Sequence, residues 1–293
     1  MENELTTSTP VKKIATHGWI GLGLLIVFWV LNWSLPGVHT NWAFFPLWLG
    51  FCLSVDALTL YRTGTSLLTR SWRKYIGLFL ISAPAWWLFE AVNLRLQNWV
   101  YIGTQQFSSL TFGLWSSLNF TIVIPAVFGA TELVSSFSFF RKLKKGPVIG
   151  EQLSTTLAFF MSGWVMLALM LVWPKIFFPF VWISLFFILA PINVWLGYRS
   201  ISQWTRLGNW RPVYALWGGV LLTAFFWEMW NYFSYPKWVY HVPWGGWLKI
   251  FEMPLLGYGG YLPFALELFA LYHLVIGLAG QKDSDYVKVE ASD

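Results

Sequence analysis

The sequence predicts an all-α integral membrane protein: eight transmembrane helices in two pseudo-symmetric four-helix repeats, with N- and C-termini cytoplasmic. Three observations carry that prediction. Of 293 residues, 57% are hydrophobic and 11% charged, at a mean hydropathy of +0.56, whereas a soluble domain carries about 25% charged residues. The charges gather between apolar runs long enough to cross about 30 Å of hydrocarbon. Basic residues also alternate between loops as one fixed orientation requires. A soluble globule, a disordered chain and a disulfide-built secreted domain are excluded. The single cysteine, Cys52, allows no internal disulfide and no Cys-based metal site.

The spans fall near 18–36, 41–60, 75–93, 110–138, 153–173, 177–198, 213–233 and 250–278. The first follows Lys12 and Lys13 but is too long for a signal peptide and ends in Ser34-Leu35-Pro36 without a small-residue cleavage pattern, so it is read as retained. Segments on one side carry fifteen Lys and Arg, from Lys12 through Lys288, and the other side only Arg95, Lys175, Lys237 and Lys249. That asymmetry puts both termini in the cytoplasm of a cell, as in a bacterial inner membrane. The net charge of +6 is then topogenic, and no nucleic-acid partner is expected.

The halves repeat one another. The first reads Phe44-Phe45-Pro46, Asp56, Tyr61-Arg62, Trp72-Arg73, Glu90, Asn93, Trp99, Tyr101; the second reads Phe177-Phe178-Pro179, Asn193, Tyr198-Arg199, Trp210-Arg211, Glu228, Asn231, Trp238, Tyr240. Asp56 to Glu90 is 34 residues and Asn193 to Glu228 is 35. Four spans per repeat keep both halves in one orientation, related by an axis along the membrane normal rather than inverted. The predicted organisation is an N-terminal tail 1–17, a first repeat 18–140, a basic linker 141–151 containing Gly146-Pro147, a second repeat 152–278 and a C-terminal tail 279–293.

Five acids fall inside spans, clear of their edges: Asp56, Glu90, Glu132, Glu228 and Glu267. Such residues face a bundle interior and either pair or stay protonated. A packing hydrogen bond is favoured for Asp56, whose counterpart is the neutral Asn193. Glu90-x-x-Asn93 and Glu228-x-x-Asn231 each set a carboxyl and an amide on one helix face. Fifteen residues from Tyr75 to Glu90, and fifteen from Val213 to Glu228, climb about 22 Å, so both pairs reach the outer third of the bilayer. Two carboxyls meeting there would share a proton, which prepares a general acid; a structural carboxyl-amide network fits the same pattern. Indoles crowd that level, among them Trp86, Trp87, Trp99, Trp227, Trp230 and Trp238. They fit an interfacial belt or an aromatic-lined cavity. The stretch 251–264, with Gly257, Gly259, Gly260, Pro254 and Pro263, reads as a broken or kinked helix, and Pro125 with Glu132 as its counterpart. No two of the four histidines have helical metal-ligand spacing, and phosphate-loop, nucleophile-elbow and dinucleotide motifs are lacking. No metal or cofactor is expected.

An intramembrane acid, Trp-x-Tyr after the span, then Pro and Glu in the next, resembles the lycopene cyclase domain of small membrane carotenoid cyclases. Glu90, Trp99, Tyr101, Pro125 and Glu132 carry the resemblance in one half, and Glu228, Trp238, Tyr240, Pro263 and Glu267 in the other. The family's adjacent Pro-x-Glu-Glu is not present, and the repeat here has four spans rather than three. The chain also resembles Trp-rich multi-pass bacterial membrane proteins. The cyclase resemblance implies acid-triggered cyclisation or isomerisation of an isoprenoid or other lipid, without metal or nucleotide. Glu90 and Glu228 are then the catalytic candidates; Asn93, Asn231, Trp99, Tyr101, Trp238, Tyr240, Glu132 and Glu267 are candidates for substrate binding. The rival expectation is a non-catalytic lipid- or pigment-binding subunit or carrier.

The orientation is checked by labelling in a variant lacking Cys52. A cysteine at position 104 should react with an impermeant reagent in intact cells, and one at 144 only after permeabilisation. Reaction of 144 in intact cells would reverse the orientation.

Overall fold

A computed structural model describes residues 13–35, 40–143 and 145–290; Lys12, Pro36, His39 and Lys144, used above, lie outside the described residues. The first part of the chain forms α1 (Thr16–Ser34), α2 (Asn41–Thr63), the short α3 (Leu67–Arg70), α4 (Trp72–Leu96), β1 (Trp99–Ile102), α5 (Ser109–Phe120), α6 (Val123–Ser135) and α7 (Ser138–Lys142). The remainder forms α8 (Leu153–Val172), α9 (Pro174–Phe177), α10 (Ser184–Trp195), α11 (Ser202–Thr205), α12 (Arg211–Tyr232), β2 (Lys237–Tyr240), β3 (Lys249–Ile250), β4 (Met253–Pro254) and α13 (Tyr258–Leu278).

Among the described residues, seven helices are long and apolar enough to cross a membrane: 16–34, 41–63, 72–96, 109–135, 153–172, 211–232 and 255–278. This is the architecture of a multi-pass helical membrane protein. An eighth crossing exists only where Pro174–Trp182 and Ser184–Trp195 are counted together across a bend of 42°.

That bend interrupts the sixth span expected over 177–198. Pro179 has no amide hydrogen to continue a helical ladder, and Phe178–Trp182 turns as a 3₁₀ segment. The start of α10 is then satisfied from outside, the Leu185 amide donating to Glu267 Oε1 at 3.1 Å. The last span differs too. Residues 249–254 form the β3–β4 hairpin, and α13 runs unbroken from Tyr258, with Pro263 inside it near its start. The break expected near Pro125 lies just before it, at Thr121 and Ile122 between α5 and α6. Ser82 of α4 bridges that break: its hydroxyl donates to the Phe120 carbonyl at 2.6 Å and accepts from the Ile124 amide at 3.0 Å. Irregular backbone at this depth survives only with such partners.

Every residue of α6 is buried, and α2, α4, α12 and α13 pack around it, while α1 and α8 lie outermost, each with 17% of its apolar window buried. The α1–α2 contact depends on glycine. A Cβ on Gly21 would stand 2.7 Å from the Ser54 amide nitrogen, and one on Gly50 2.6 Å from that of Leu25. Without a hydrophobic force between helices in lipid, such close approach supplies the packing.

At the end opposite β1 and β2, part of the segment read as a tail is built into the bundle. Tyr286, Val287 and Val289 are buried. The Tyr286 hydroxyl donates to the Leu67 carbonyl at 2.8 Å, and Arg70 donates to the Tyr286 carbonyl at 2.7 Å and to Glu132. The Lys288 amide donates to Glu132 at 2.8 Å, and Trp204 and Asn209 donate to Glu290.

Gly50→Leu should lower stability in detergent by about 1–3 kcal/mol, the cost of overpacking. Gly23→Leu, with nothing within 4 Å of its added Cβ, should leave the unfolding temperature unchanged.

Candidate functional site

Two hairpins meet at one end of the bundle. At the end of α4, Gln97 takes a left-handed conformation (φ 56°) and turns the chain back. The Asn93 side chain holds the turn, its Nδ2 donating to the Trp99 carbonyl at 2.8 Å and its Oδ1 accepting from the Asn98 amide at 2.9 Å. At the end of α12, Asn231 does the same for Trp238, donating to its carbonyl at 2.8 Å and accepting from its amide at 2.9 Å. Both amides act on backbone groups. Asn93 and Asn231, expected among the substrate-binding residues, thus hold the turns that carry the two strands.

The strands so placed pair antiparallel, with Trp99 opposite Tyr240, Val100 opposite Val239 and Tyr101 opposite Trp238. No strand was expected in these segments. Here aromatic residues flank a β-branched valine, the composition that suits a pleated, half-buried surface.

Each glutamate sits behind its own strand. Glu90 Oε1 accepts from Trp86 Nε1 at 2.9 Å, Trp99 Nε1 at 3.0 Å and the Tyr101 hydroxyl at 2.6 Å. Glu228 is fully buried, and its Oε1 accepts from the Tyr240 and Tyr261 hydroxyls, both at 2.7 Å. Its Oε2 has no hydrogen-bond partner among the described residues. Trp238 Nε1 donates to the Tyr240 oxygen at 3.0 Å, continuing the network. Among the described residues no hydrogen bond joins Glu90 to Glu228, so the geometry gives two aromatic cages rather than one proton shared between carboxyls. Each carboxyl is held by the aromatics beside it. Burial first, and then the neighbouring carboxyl, hold the Tyr101 and Tyr240 phenols well above their ordinary range, so both remain donors.

Between the hairpins lies a cleft with about 1150 Å³ of free space, its open mouth included. Trp86, Trp99, Tyr101, Trp182, Trp227, Trp238, Tyr240 and Tyr261 line it, with Asn32, Thr40, Asn41, Ser116 and Asn119 supplying polar groups. The glutamates are not wall residues; the tyrosines bonded to them are.

Glu132 and Glu267 are elsewhere. Glu132, expected among the substrate-binding residues, is paired with Arg70 at the opposite end, and Glu267, expected there too, caps α10 through Leu185; neither lines the aromatic cleft. Asp56 accepts from Ser66 Oγ at 2.7 Å and the Leu68 amide at 2.9 Å, holding the α2–α3 loop. Tyr261 and Trp182 escaped the sequence reading as site residues. Tyr261 lies in the glycine-rich stretch taken for a helix break, and Trp182 in the interrupted sixth span. Among the described residues no group of three or more His, Cys, Asp or Glu could hold a metal ion.

Asn93→Ala and Asn231→Ala should each destabilise the protein by about 1–3 kcal/mol per buried backbone group left unpaired, read as a lower unfolding temperature in detergent with altered tryptophan emission. Set beside known proteins, the chain matches no family model, no curated protein and no solved structure.

Proposed function

We propose that the protein binds an isoprenoid or other lipid in the aromatic cleft and acts on it by acid–base chemistry at the outer-leaflet level of a bacterial inner membrane. The observation that carries this reading is the pairing of cleft-lining tyrosines with carboxyls behind them: Tyr101 with Glu90, and Tyr240 and Tyr261 with Glu228. A proton delivered to a carbon–carbon double bond forms a C–H bond from the π electrons and leaves a cation. A second double bond of the same chain can attack it, closing a ring and moving the cation along the chain; in either case a carbon adjacent to the cation then releases a proton to the opposing carboxylate and its C–H electrons form the new double bond. The net reaction is an isomerisation that consumes no oxidant or nucleotide. Indole and phenol faces stabilise the cation.

The hydrogen bonding suggests the division of labour. Three donors converge on Glu90 Oε1, the surroundings of an acceptor. Glu228 has an oxygen on which no donor falls, where a transferable proton can sit. Eight spans in two repeats, 18–140 and 152–278, suit this reading: two Trp-Val-Tyr triplets paired antiparallel about their valines, each clamped by an Asn three residues after a Glu, have the local twofold relation of a duplicated unit. Counting the bent pair as one span gives the eighth crossing, and the fifteen-to-four distribution of Lys and Arg favours hairpins on the outside.

Binding without chemistry is favoured by one observation, that neither glutamate lines the cleft. The two readings separate on Glu90→Gln and Glu228→Gln, made singly and compared for folded yield and for the lipids extracted with each purified protein by mass spectrometry. Chemistry requires a loss of about 10²- to 10⁴-fold in conversion for at least one variant, with normal folding and with the unconverted isomer accumulating. If both variants keep full conversion, or both merely misfold, the carboxyls are structural supports for the tyrosines.

A further inference from the structure

The hairpin end carries four basic residues, and they divide in two. Arg95 donates to the Leu171 carbonyl at 2.9 Å, finishing α8. Lys237 is paired with Glu252 and donates to the Tyr232 carbonyl at 3.1 Å. Lys175 and Lys249 have no ion-pair partner among the described residues, and both line a single open cleft together with His241. No acidic side chain lines that cleft. Topology explains the basic residues of the opposite end, but not two unpaired ammonium groups gathered at this one.

The basic cleft adjoins the aromatic one. Tyr240 lines both, and β4 gives Met253 to the aromatic cleft and Pro254 to the basic one. The His241 amide donates to the Asn98 carbonyl at 2.8 Å, which fixes the imidazole at the end of the paired strands. The loop beyond it exposes Trp244 (51%), Trp247 (85%) and Leu248 (45%). Exposed indoles beside lysines, just outside the apolar spans, suit the headgroup layer of a bilayer.

Resting on the proposed function, we infer that the lipid taken by the aromatic cleft bears a phosphate headgroup, held by Lys175, His241 and Lys249 while its apolar chain passes Tyr240. Two ammonium groups and an imidazole N–H provide charge-assisted donors to the phosphate oxygens. The interfacial loop marks the ligand as a lipid rather than dissolved phosphate. The headgroup and the reacting double bonds are thus handled by separate parts of the hairpin end.

The test uses the full chain in detergent micelles, with a polyprenyl phosphate and the matching uncharged polyprenol as probes, followed by quenching of tryptophan fluorescence. The phosphate should bind on the order of tenfold more tightly, a difference of about 1.4 kcal/mol. In the double variant Lys175→Gln/Lys249→Gln that preference should vanish while polyprenol affinity stays unchanged. Both residues are exposed, and an unaltered unfolding temperature confirms folding. Equal affinity for the two probes in the wild type, or a preference that survives the double substitution, overturns the headgroup inference and leaves the aromatic cleft standing. Inorganic phosphate competing as well as the lipid phosphate overturns it in favour of a free-anion site. If neither probe binds, the cleft reading falls with it.

Discussion

The candidate site depends on the antiparallel pairing of two identical Trp-Val-Tyr triplets. Backbone amides and carbonyls that are partly buried at the rim of an apolar bundle need partners. Here each triplet completes the other, and side-chain alternation along a strand does the rest. Trp99 and Tyr101 fall on one side of their strand, where both reach Glu90. Trp238 and Tyr240 fall likewise, with Tyr240 reaching Glu228. Without the pairing, neither carboxyl would have its cage and the cleft would lose a wall.

The four other span-borne carboxyls and Glu228 show how differently a buried acid can be accommodated. Asp56 is met by a hydroxyl and an amide, Glu132 by a guanidinium, and Glu267 by an amide exposed where a helix restarts. Glu90 and Glu228 are met by indoles and phenols instead. Aromatic donors bring a large apolar body with one polar edge, so they satisfy a carboxyl and line a lipid-accommodating space at once. The aromatic partners of these two acids line the cleft, and the partners of the remaining three do not.

Much of this was legible in the sequence, though unevenly. Apolar length marks a span whatever its partners, and so the seven long helices were readable. Glu90, Asn93, Trp99 and Tyr101 recurring as Glu228, Asn231, Trp238 and Tyr240 announced that these residues work as sets. Counting residues along a helix gives depth but not direction, so it could not reveal that the two carboxyls turn to their own strands. Pro125 and Pro263 suggested equivalence for Glu132 and Glu267, yet the guanidinium beside one and the helix start beside the other are tertiary facts. The 3₁₀ turn at Pro179 lay hidden because Phe, Trp, Val and Ile keep the hydropathy high through the bend. The apolar Tyr286, Val287 and Val289 among charged neighbours were a visible signal of burial.

Those last residues give the molecule a temporal dimension. Tyr286 closes on Leu67, 219 residues earlier in the chain, and at synthesis rates of about 5–20 residues per second that separation amounts to roughly 10–45 s. Throughout that interval Arg70 lacks the Tyr286 carbonyl and Glu132 lacks the Lys288 amide. The newborn bundle therefore carries an open, polar seam that only its late-made segment can seal.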